Sequence, residues 1–320
     1  MNRLPAKTVI FGVTAALINV LCWGAAPAII KFGLETVSPT VFLYYRFVLV
    51  IALTTPFMYA FRKHIASSVK TPQHLVTLLL IGILTNPLNL GILFLGLHYT
   101  TSASAAILAS VSPLFIMAAS ALFLKERITK FELLGAAIAT LGTCIIILDT
   151  PTQSGAANPL LGNLLIFTYN IVWTAGALLM KKYATTYHPF LFGYTGWFTG
   201  MILFGLIVMI TEPYFFFRPL MLTQLPQAFF SILYMAVFGS IIGFTSYQVA
   251  QKHLSASKVS IFTYLQPIVV LPLSVFWLKE KFGVQFILGA MILAIGVCIA
   301  EMHQRSRLRT LHHKPHKKAA

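Results

Sequence analysis

The amino-acid sequence predicts an all-α polytopic membrane protein with ten transmembrane helices, arranged as two inverted repeats of five helices. Three observations support this prediction: the composition, the length of the apolar runs and an internal duplication. Of the 320 residues, 58% are hydrophobic and 9% are charged, whereas soluble domains contain roughly 25% charged residues. Apolar runs of about twenty residues recur along the chain, and such a run crosses a bilayer core ~30 Å thick as a helix.

The chain contains an internal duplication with a period of 154 residues. Residues of the same type recur at this spacing in the pairs Pro113/Pro267, Glu126/Glu280, Gly135/Gly289, Gly142/Gly296 and Cys144/Cys298. Three earlier pairs are 150 residues apart: Trp23/Trp173, Lys31/Lys181 and Pro39/Pro189. Landmarks that keep one register over such a length indicate a repeated structural unit.

The first half contains five predicted spans, at residues 8–31, 39–61, 73–97, 102–123 and 131–148. The first is too long for the apolar core of a signal peptide, so we interpret it as a helix. The basic loop that starts at Arg62 follows the second span, and Pro72 opens the third. The Leu-Lys-Glu-Arg segment closes the fourth.

The second half contains five more predicted spans, at residues 160–180, 189–210, 227–249, 257–278 and 284–301. A segment rich in Pro, Gly, Ser and Asn links the two halves. We therefore predict a first five-helix repeat at 8–148, a linker at 149–159, a second five-helix repeat at 160–301 and a basic cytoplasmic tail at 302–320.

The distribution of charge predicts the orientation in the membrane. An odd number of spans per repeat makes the second repeat enter the membrane from the opposite side, and cytoplasmic loops carry an excess of Lys and Arg. With both termini in the cytoplasm, 17 of the 23 Lys and Arg residues lie inside and four lie outside, while Arg46 and Lys258 fall within spans. We expect the basic tail to contact anionic lipid. Nucleic acid is not an expected partner, because no soluble basic domain is present.

The ionisable residues argue against an enzyme. All seven acids and all nine histidines fall in loops, at span ends or in the tail, so we predict no metal site and no buried proton relay. The chain has no Gly-x-Ser-x-Gly, His-Glu-x-x-His or phosphate-loop motif. Cys22, Cys144 and Cys298 lie inside spans, where we expect them to pack as small apolar residues. We predict no catalytic residues and no cofactor, and we favour a monomer.

The duplicated pattern of Pro, then Leu-Lys-Glu-Arg or Leu-Lys-Glu-Lys, then Gly-Ala and a second Gly resembles the EamA-type transporters of the drug/metabolite transporter superfamily. The Arg46-Phe47 pair resembles the Arg-Phe of that family, and the resemblance covers residues 10–301. It implies a central cavity formed mainly by helices 1, 3, 4, 6, 8 and 9, a location in the bacterial inner membrane, and export or exchange of small metabolites such as amino acids. The second half departs from the first by having Gly196 in the place of Arg46.

Arg46 is the charged residue that we place well inside a span of the first half. It lies seven residues after Pro39, which is ~10 Å along a helix that rises ~1.5 Å per residue. Its guanidinium would suit a substrate carboxylate or phosphate in the cavity. Alternatively, it extends to the outer interface, with Glu35 one loop away, or bonds helix carbonyls. The sequence leaves both interpretations open.

Amide and aromatic side chains mark predicted faces of the cavity, on helices that the resemblance assigns to it. Besides Arg46, the candidate substrate-binding residues are Asn19, Trp23, Asn86, Asn89, Asn170, Trp173, Tyr247, Gln248, Tyr264 and Gln266. The Asn and Trp of the first span recur in the sixth. Each polar side chain could instead join two helices by a hydrogen bond of about 0.6–2 kcal/mol.

The duplicated glycines and prolines predict close packing and bending of helices. The candidate packing residues are Gly135, Gly142, Gly289 and Gly296, and the candidate hinges are Pro113 and Pro267. The two glycines of each half are seven residues apart, so each pair lies on one helix face. Proline interrupts helix hydrogen bonding, so bends are expected at the two prolines.

The sequence therefore predicts a membrane carrier for small polar metabolites, with amino acids and related carboxylates as the expected solutes and export or exchange by alternating access as the expected activity. One alternative is a proton-coupled drug exporter, which the lack of an intramembrane acid disfavours. A receptor or scaffold without transport is the other alternative. It is less favoured, because no loop or tail carries recognisable binding chemistry.

Overall fold

The computed structural model describes residues 6–65, 69, 71–109, 111–124, 130–148, 157–183, 186–254, 259, 262–263 and 265–313. These residues are organised as helices with short connections, and none of them forms a β-strand. Five features of the sequence analysis fall outside the described residues: Lys258, Tyr264, the Lys-Glu-Arg part of the first Leu-Lys-Glu-Arg segment, the linker as far as residue 156, and the tail after residue 313.

The described part of the first half forms eight helical segments. They are α1 (Ala6–Gly33), α2 (Pro39–Ala60), α3 (Arg62–Ile65), α4 (Pro72–Thr85), α5 (Pro87–Tyr99), α6 (Ser102–Ala109), α7 (Ser112–Leu124) and α8 (Lys130–Leu148). Proline occupies the first turn of α2, α4 and α5, where its missing N–H would have no partner in any case. The third predicted span is interrupted at Asn86, whose φ of −123° and ψ of −85° separate α4 from α5.

Within its described residues, the second half forms seven α-helices, one 3₁₀-helix and two π-helices. The α-helices are α9 (Pro159–Tyr183), α10 (Pro189–Thr211), α11 (Pro213–Phe217), α12 (Pro226–Tyr234), α13 (Gly243–His253), α14 (Gln266–Pro272) and α15 (Val284–His313). A 3₁₀-helix covers Pro219–Gln224, and π-helices cover Met235–Ile242 and Leu273–Trp277. Helix α15 continues beyond the predicted end of the last span and into the basic tail.

In the part of the chain that the structure describes, six helical stretches are long and apolar enough to cross a membrane: Ile10–Gly33, Pro39–Ala60, Pro72–Tyr99, Pro159–Met180, Phe190–Thr211 and Pro226–Gln251. The protein is therefore an integral membrane protein. Shorter apolar helical segments within Ser102–Ile116, Leu133–Ile146, Gln266–Trp277 and Val284–Ile299 lie where the fourth, fifth, ninth and tenth spans are predicted. The count of ten spanning helices stays a prediction.

The first helix of each half packs mainly against helices of the other half. Helix α1 contacts α12, α13 and α14 of the second half as well as α5 and α6. Helix α9, the first of the second half, contacts α4, α5, α6, α7 and α8 of the first half. The two halves are therefore interlocked, and α1 and α9 bring the side chains of both halves together.

Helices α8 and α15 form the most extensive helix pair, and all four candidate packing glycines lie in it. A Cβ added at Gly142 would lie 2.7 Å from the carbonyl oxygen of Gly289, and one at Gly296 would lie 2.7 Å from that of Gly135. Because the later residue of one helix meets the earlier residue of the other, the pair is antiparallel. The packing prediction for two cysteines was wrong: Cys144 and Cys298 are exposed, and only Cys22 is buried.

Two charged side chains hold the turn between α5 and α6. Lys31 Nζ donates to backbone carbonyl oxygens at the end of α5, those of Leu97 (3.0 Å), His98 (3.3 Å) and Thr100 (2.8 Å). Glu280 accepts from the first amides of α6, those of Ser102 (2.7 Å) and Ala103 (3.3 Å). The positive charge of Lys31 thus lies at the C-terminal end of α5, and the negative charge of Glu280 lies at the N-terminal end of α6. The helix dipoles favour both placements. We call this arrangement the Lys31–Glu280 clamp.

Candidate functional site

Three aromatic rings from three helices meet between the two halves. Trp23 of α1 stacks on Tyr247 of α13, with 5.3 Å between ring centroids and 28° between planes. Trp173 of α9 approaches Trp23 edge-on at 6.0 Å and Tyr247 at 5.9 Å. Such arrangements are the favoured ones for aromatic pairs. We call Trp23, Trp173 and Tyr247 the aromatic cluster; two of its members are the duplicated tryptophans.

The π-helix Met235–Ile242 fixes the position of Trp23. Trp23 Nε1 donates to the carbonyl oxygen of Gly239 at 2.9 Å, and Asn19 Nδ2 donates to that of Gly243 at 3.0 Å. A Cβ added at Gly243 would lie 2.5 Å from Trp23 Nε1, so the indole can approach only because this residue is glycine. π-Helical turns are rare and are frequently found at functional sites.

Arg46 lies inside the protein, with only 4% of its surface exposed. Its Nε donates to Ser240 Oγ at 3.0 Å, and its guanidinium carbon lies 5.7 Å from the centre of the Phe94 ring. Among the residues that the structure describes, none forms a hydrogen bond with Nη1 of Arg46, although this atom is buried. The described structure therefore supports neither extension of Arg46 to the interface nor bonding of helix carbonyls. Glu35 is exposed on the loop after α1.

Two residues connect Arg46 with the aromatic cluster. Gly239 accepts the bond from Trp23, and a Cβ added to Gly239 would lie 3.7 Å from Nη2 of Arg46. Tyr169 of α9 is close enough to interact electrostatically with both Arg46 and Tyr247. The guanidinium and the aromatic cluster are therefore parts of one region, built by α1, α2, α9, the π-helix and α13.

The candidate asparagines bond protein groups. Asn86 Nδ2 donates to Thr85 Oγ1 at 3.1 Å, at the break between α4 and α5. Asn89 Nδ2 donates to the carbonyl oxygen of Tyr169 at 3.0 Å, and Asn170 Nδ2 donates to that of Leu108 at 3.0 Å. Of these three, Asn89 is adjacent to the Arg46 region through Tyr169. Asn170 joins α9 to α6, which is the alternative role that the sequence allows, whereas Asn86 bonds the hydroxyl of the adjacent Thr85.

The remaining candidates lie at other points of the second half. Gln248 Nε2 is 3.6 Å from the sulfur of Met180, so it contacts α9 one residue after Tyr247. Gln266 begins α14, and its carbonyl oxygen would lie 3.2 Å from a Cβ added at Gly24 of α1. Neither has a described contact with Arg46, and Tyr264 lies outside the described residues.

The two candidate hinge prolines each lie in the first turn of a helix that follows a break. Helix α6 ends at Ala109, and Pro113 is the second residue of α7. Pro267 is the second residue of α14. These positions suit proline, because the first turn needs no N–H donor from it. The predicted fourth span is thus divided into α6 and α7 in the described structure.

Three residues near Arg46 were not among the sequence-based candidates: Ser240, Tyr169 and Phe94. Ser240 is a polar residue within an apolar predicted span, and Tyr169 directly precedes the candidate Asn170. Those two facts were available from the sequence as signals, whereas the burial of Ser240 was not. Phe94 carried none, because the chain contains 26 phenylalanines.

A cavity of about 430 Å³ lies at the end of α2, away from Arg46. It is lined by Tyr59, Ala60, Phe61, Arg62 and Lys63. Tyr59 is thirteen residues beyond Arg46, which is ~20 Å along a helix. This cavity has no contact with the aromatic cluster, so it is not part of the candidate site.

The acids whose side chains are described bond groups outside the candidate site. Glu280 belongs to the Lys31–Glu280 clamp, and Glu35 is exposed. Glu212 accepts from the hydroxyls of Ser38 (2.5 Å) and Thr40 (3.0 Å) near the start of α2. Within the described part of the chain, the Arg46 region therefore has one positive charge and no carboxylate beside it.

Comparison with known proteins gives a family match over both halves. The model of the EamA-like transporter family matches residues 10–148 and 160–302. A solved crystal structure superposes with a TM-score of 0.63 at 17% identity, over 93% of this chain and 99% of that chain. At this identity the likeness shows the fold alone.

Several relatives with curated names are described as transporters. The uncharacterized transporter YyaM of Bacillus subtilis is 28% identical over 215 residues, which is 65% of this chain and 67% of that protein. The uncharacterized inner membrane transporter YedA of Escherichia coli K12 is 28% identical over 269 residues, 81% of this chain and 80% of that protein. An uncharacterized transporter of Archaeoglobus fulgidus is 24% identical over 292 residues, 90% of this chain and 96% of that protein.

Proposed function

The chain belongs to the EamA-like transporter family, and on that premise we propose that it is a carrier for small polar metabolites that bear a carboxylate, amino acids among them. The protein is a membrane transporter, as its family and its relatives indicate. We place it in the inner membrane, by analogy with YedA, with both termini in the cytoplasm. Its solute class follows from Arg46.

The buried nitrogen Nη1 of Arg46 is the observation that carries the solute class. A charged side chain at membrane depth is costly and usually has a partner or faces a cavity. Ser240 satisfies only Nε of the guanidinium, and Nη1 has no partner within the described residues. A carboxylate fits the free edge of a guanidinium with two parallel hydrogen bonds. A solute carboxylate is therefore the group that best completes this site.

The proposed mechanism is alternating access by two inverted repeats, residues 8–148 and 160–301. Carriers with such repeats bind their solute near the membrane midplane, where the repeats meet. The interlocking of α1 and α9 supports this proposal, and so do the matching glycine contacts of α8 and α15. Two copies related by a pseudo-twofold axis would make the same contacts twice. The Lys31–Glu280 clamp would close one end of the bundle.

We propose export or exchange without tight proton coupling. Proton-coupled carriers need an acid or histidine that faces the solute site. The described acids bond hydroxyls or amides elsewhere or are exposed, so the Arg46 region has no described proton acceptor of this kind. Movement of the solute down its own gradient, or in exchange for a second solute, needs no such group.

Metabolite-resolved transport in reconstituted vesicles tests this function. Vesicles are loaded with a mixture of amino acids and other organic acids and amines, and the efflux of each is measured with and without an imposed pH gradient. We expect efflux of carboxylate-bearing solutes at a rate that the pH gradient leaves unchanged. Efflux of amines alone, or efflux that requires the gradient, would contradict the proposal. Vesicles without protein are the control for leakage.

A further inference from the structure

The surroundings of Arg46 carry information on the rest of the solute. The guanidinium lies against the ring of Phe94, and Gly239 contacts Trp23 and lies near Nη2 of Arg46. A solute whose carboxylate reaches Arg46 therefore lies near the aromatic surface of Phe94 and of the aromatic cluster. Flat apolar groups gain most from such surface, by burial and by ring stacking.

Among the acids whose side chains are described, none lies beside Arg46 as an anionic partner for a solute cation. Of the described acids, Glu212 and Glu280 bond groups at the ends of helices, and Glu35 is exposed. The ammonium of an amino acid lies next to its carboxylate, so it would be held close to the positive guanidinium. Two like charges repel strongly where water is excluded, and an ammonium that leaves water without a partner pays a desolvation penalty. The charge balance therefore favours an acid without an amine.

We infer that the preferred solutes are monocarboxylates with an aromatic body and no ammonium group, such as arylalkanoates. This inference rests on the proposed function, because it takes Arg46 as the carboxylate-binding group. The guanidinium binds the carboxylate, and the aromatic cluster contacts the ring. An amino acid with the same ring binds more weakly, and the corresponding amine does not bind.

Four solutes of matched structure test the inference: phenylpropanoate, phenylalanine, phenethylamine and propanoate. Binding of each solute to the full-length protein in lipid nanodiscs is measured directly with its radiolabelled form. We expect phenylpropanoate to bind at least about tenfold more tightly than either phenylalanine or propanoate, with no binding of phenethylamine. The difference from phenylalanine reports the ammonium, and the difference from propanoate reports the ring.

Variants of the tryptophans assign the ring contact to the aromatic cluster. Trp173→Leu should bring phenylpropanoate and propanoate to within about threefold of each other, while Trp173→Phe should keep part of the preference. Trp277→Leu is the matched control, because Trp277 is 42% exposed and contacts Phe32 instead. If Trp173→Leu does not fold, Trp173→Phe decides the point: an unchanged preference in that variant and in Trp23→Phe would overturn the ring contact.

The outcomes separate this inference from the proposed function. If phenylalanine binds as tightly as phenylpropanoate, a site for the ammonium exists and the inference is wrong, but the carboxylate proposal stands. If none of the aromatic solutes binds, the inference is wrong as well, and Arg46-dependent transport of another carboxylate would still support the proposed function. If phenethylamine alone binds, both are wrong.

Discussion

Gly142 of α8 lies directly against the backbone of Leu293 of α15. A Cβ added at Gly142 would lie 2.4 Å from the amide nitrogen of Leu293, and a Cβ added at Gly296 would lie 2.3 Å from that of Ala139. The two contacts are equivalent under the 154-residue repeat. Gly296 is the counterpart of Gly142, and Leu293 is the counterpart of Ala139. The two halves thus present the same surface to each other, as in an isologous contact.

Replacement of the contact glycines should loosen this interface. We expect Gly142→Ala or Gly296→Ala to destabilise the folded protein by about 1–3 kcal/mol, because neither backbone can move aside without separating the helices. Gly142→Leu and Gly296→Leu should lower the melting temperature in detergent further. Gly91→Ala is the control, because its added Cβ would meet only the ring tip of Phe204, at 3.2 Å. Equal melting of all variants would mean that the helices do not pack here.

The Lys31–Glu280 clamp should stabilise the turn between α5 and α6. Glu280→Ala leaves two helix amides without their acceptor, and an unsatisfied buried donor costs about 1–3 kcal/mol. We therefore expect a lower melting temperature and faster hydrogen exchange at the amides of Ser102 and Ala103. Glu35→Gln is the matched control, since it removes a nearby exposed charge without breaking a described bond. Exchange at these amides that is the same in Glu280→Ala as in the wild type would contradict the clamp.

The fold could be predicted from the sequence further than the site could. The 154-residue repeat predicted that the four glycines are packing residues, and they do pack in one interface. They recur at this spacing because the two halves make the same close contact between backbones. The prediction for Cys144 and Cys298 failed because an apolar residue in a span faces lipid as readily as protein. The sequence suggested Arg46, Trp23, Trp173 and Tyr247, but their proximity depends on the π-helix, which no local pattern indicates.

Ser240 should position Arg46 for solute binding. Its hydroxyl accepts from Arg46 Nε and donates to the carbonyl oxygen of Met235 at 3.1 Å, so Ser240→Ala removes the one described hydrogen bond of the guanidinium. A hydrogen bond to a charged group is worth about 1.5–3 kcal/mol. We expect the half-saturating concentration of a carboxylate solute to rise by at least about tenfold, with the maximal rate less affected. Thr140→Ala is the control: it removes an exposed hydroxyl bonded to its own helix and should leave the half-saturating concentration and the maximal rate unchanged. An unchanged half-saturating concentration in Ser240→Ala would show that Ser240 does not position Arg46.

The orientation of the termini can be tested by single-cysteine labelling. In a background without Cys22, Cys144 and Cys298, one cysteine is introduced by Lys281→Cys or by Lys318→Cys. Because Lys and Arg accumulate on the cytoplasmic side, an impermeant maleimide added to intact cells should label the first variant and not the second. Labelling of Lys318→Cys in intact cells would reverse the orientation.

The central claim is that Arg46 binds the carboxylate of the solute, and transport by Arg46 variants in reconstituted vesicles tests it most directly. We predict that Arg46→Gln raises the half-saturating concentration for carboxylate solutes by at least about tenfold at an unchanged yield of folded protein. Arg46→Lys should restore it only in part, because an ammonium lacks the bidentate edge of a guanidinium. Arg62→Gln is the control, as Arg62 lies at the exposed end of α2 over the ring of Tyr59. Transport by folded Arg46→Gln with the wild-type half-saturating concentration would contradict the claim.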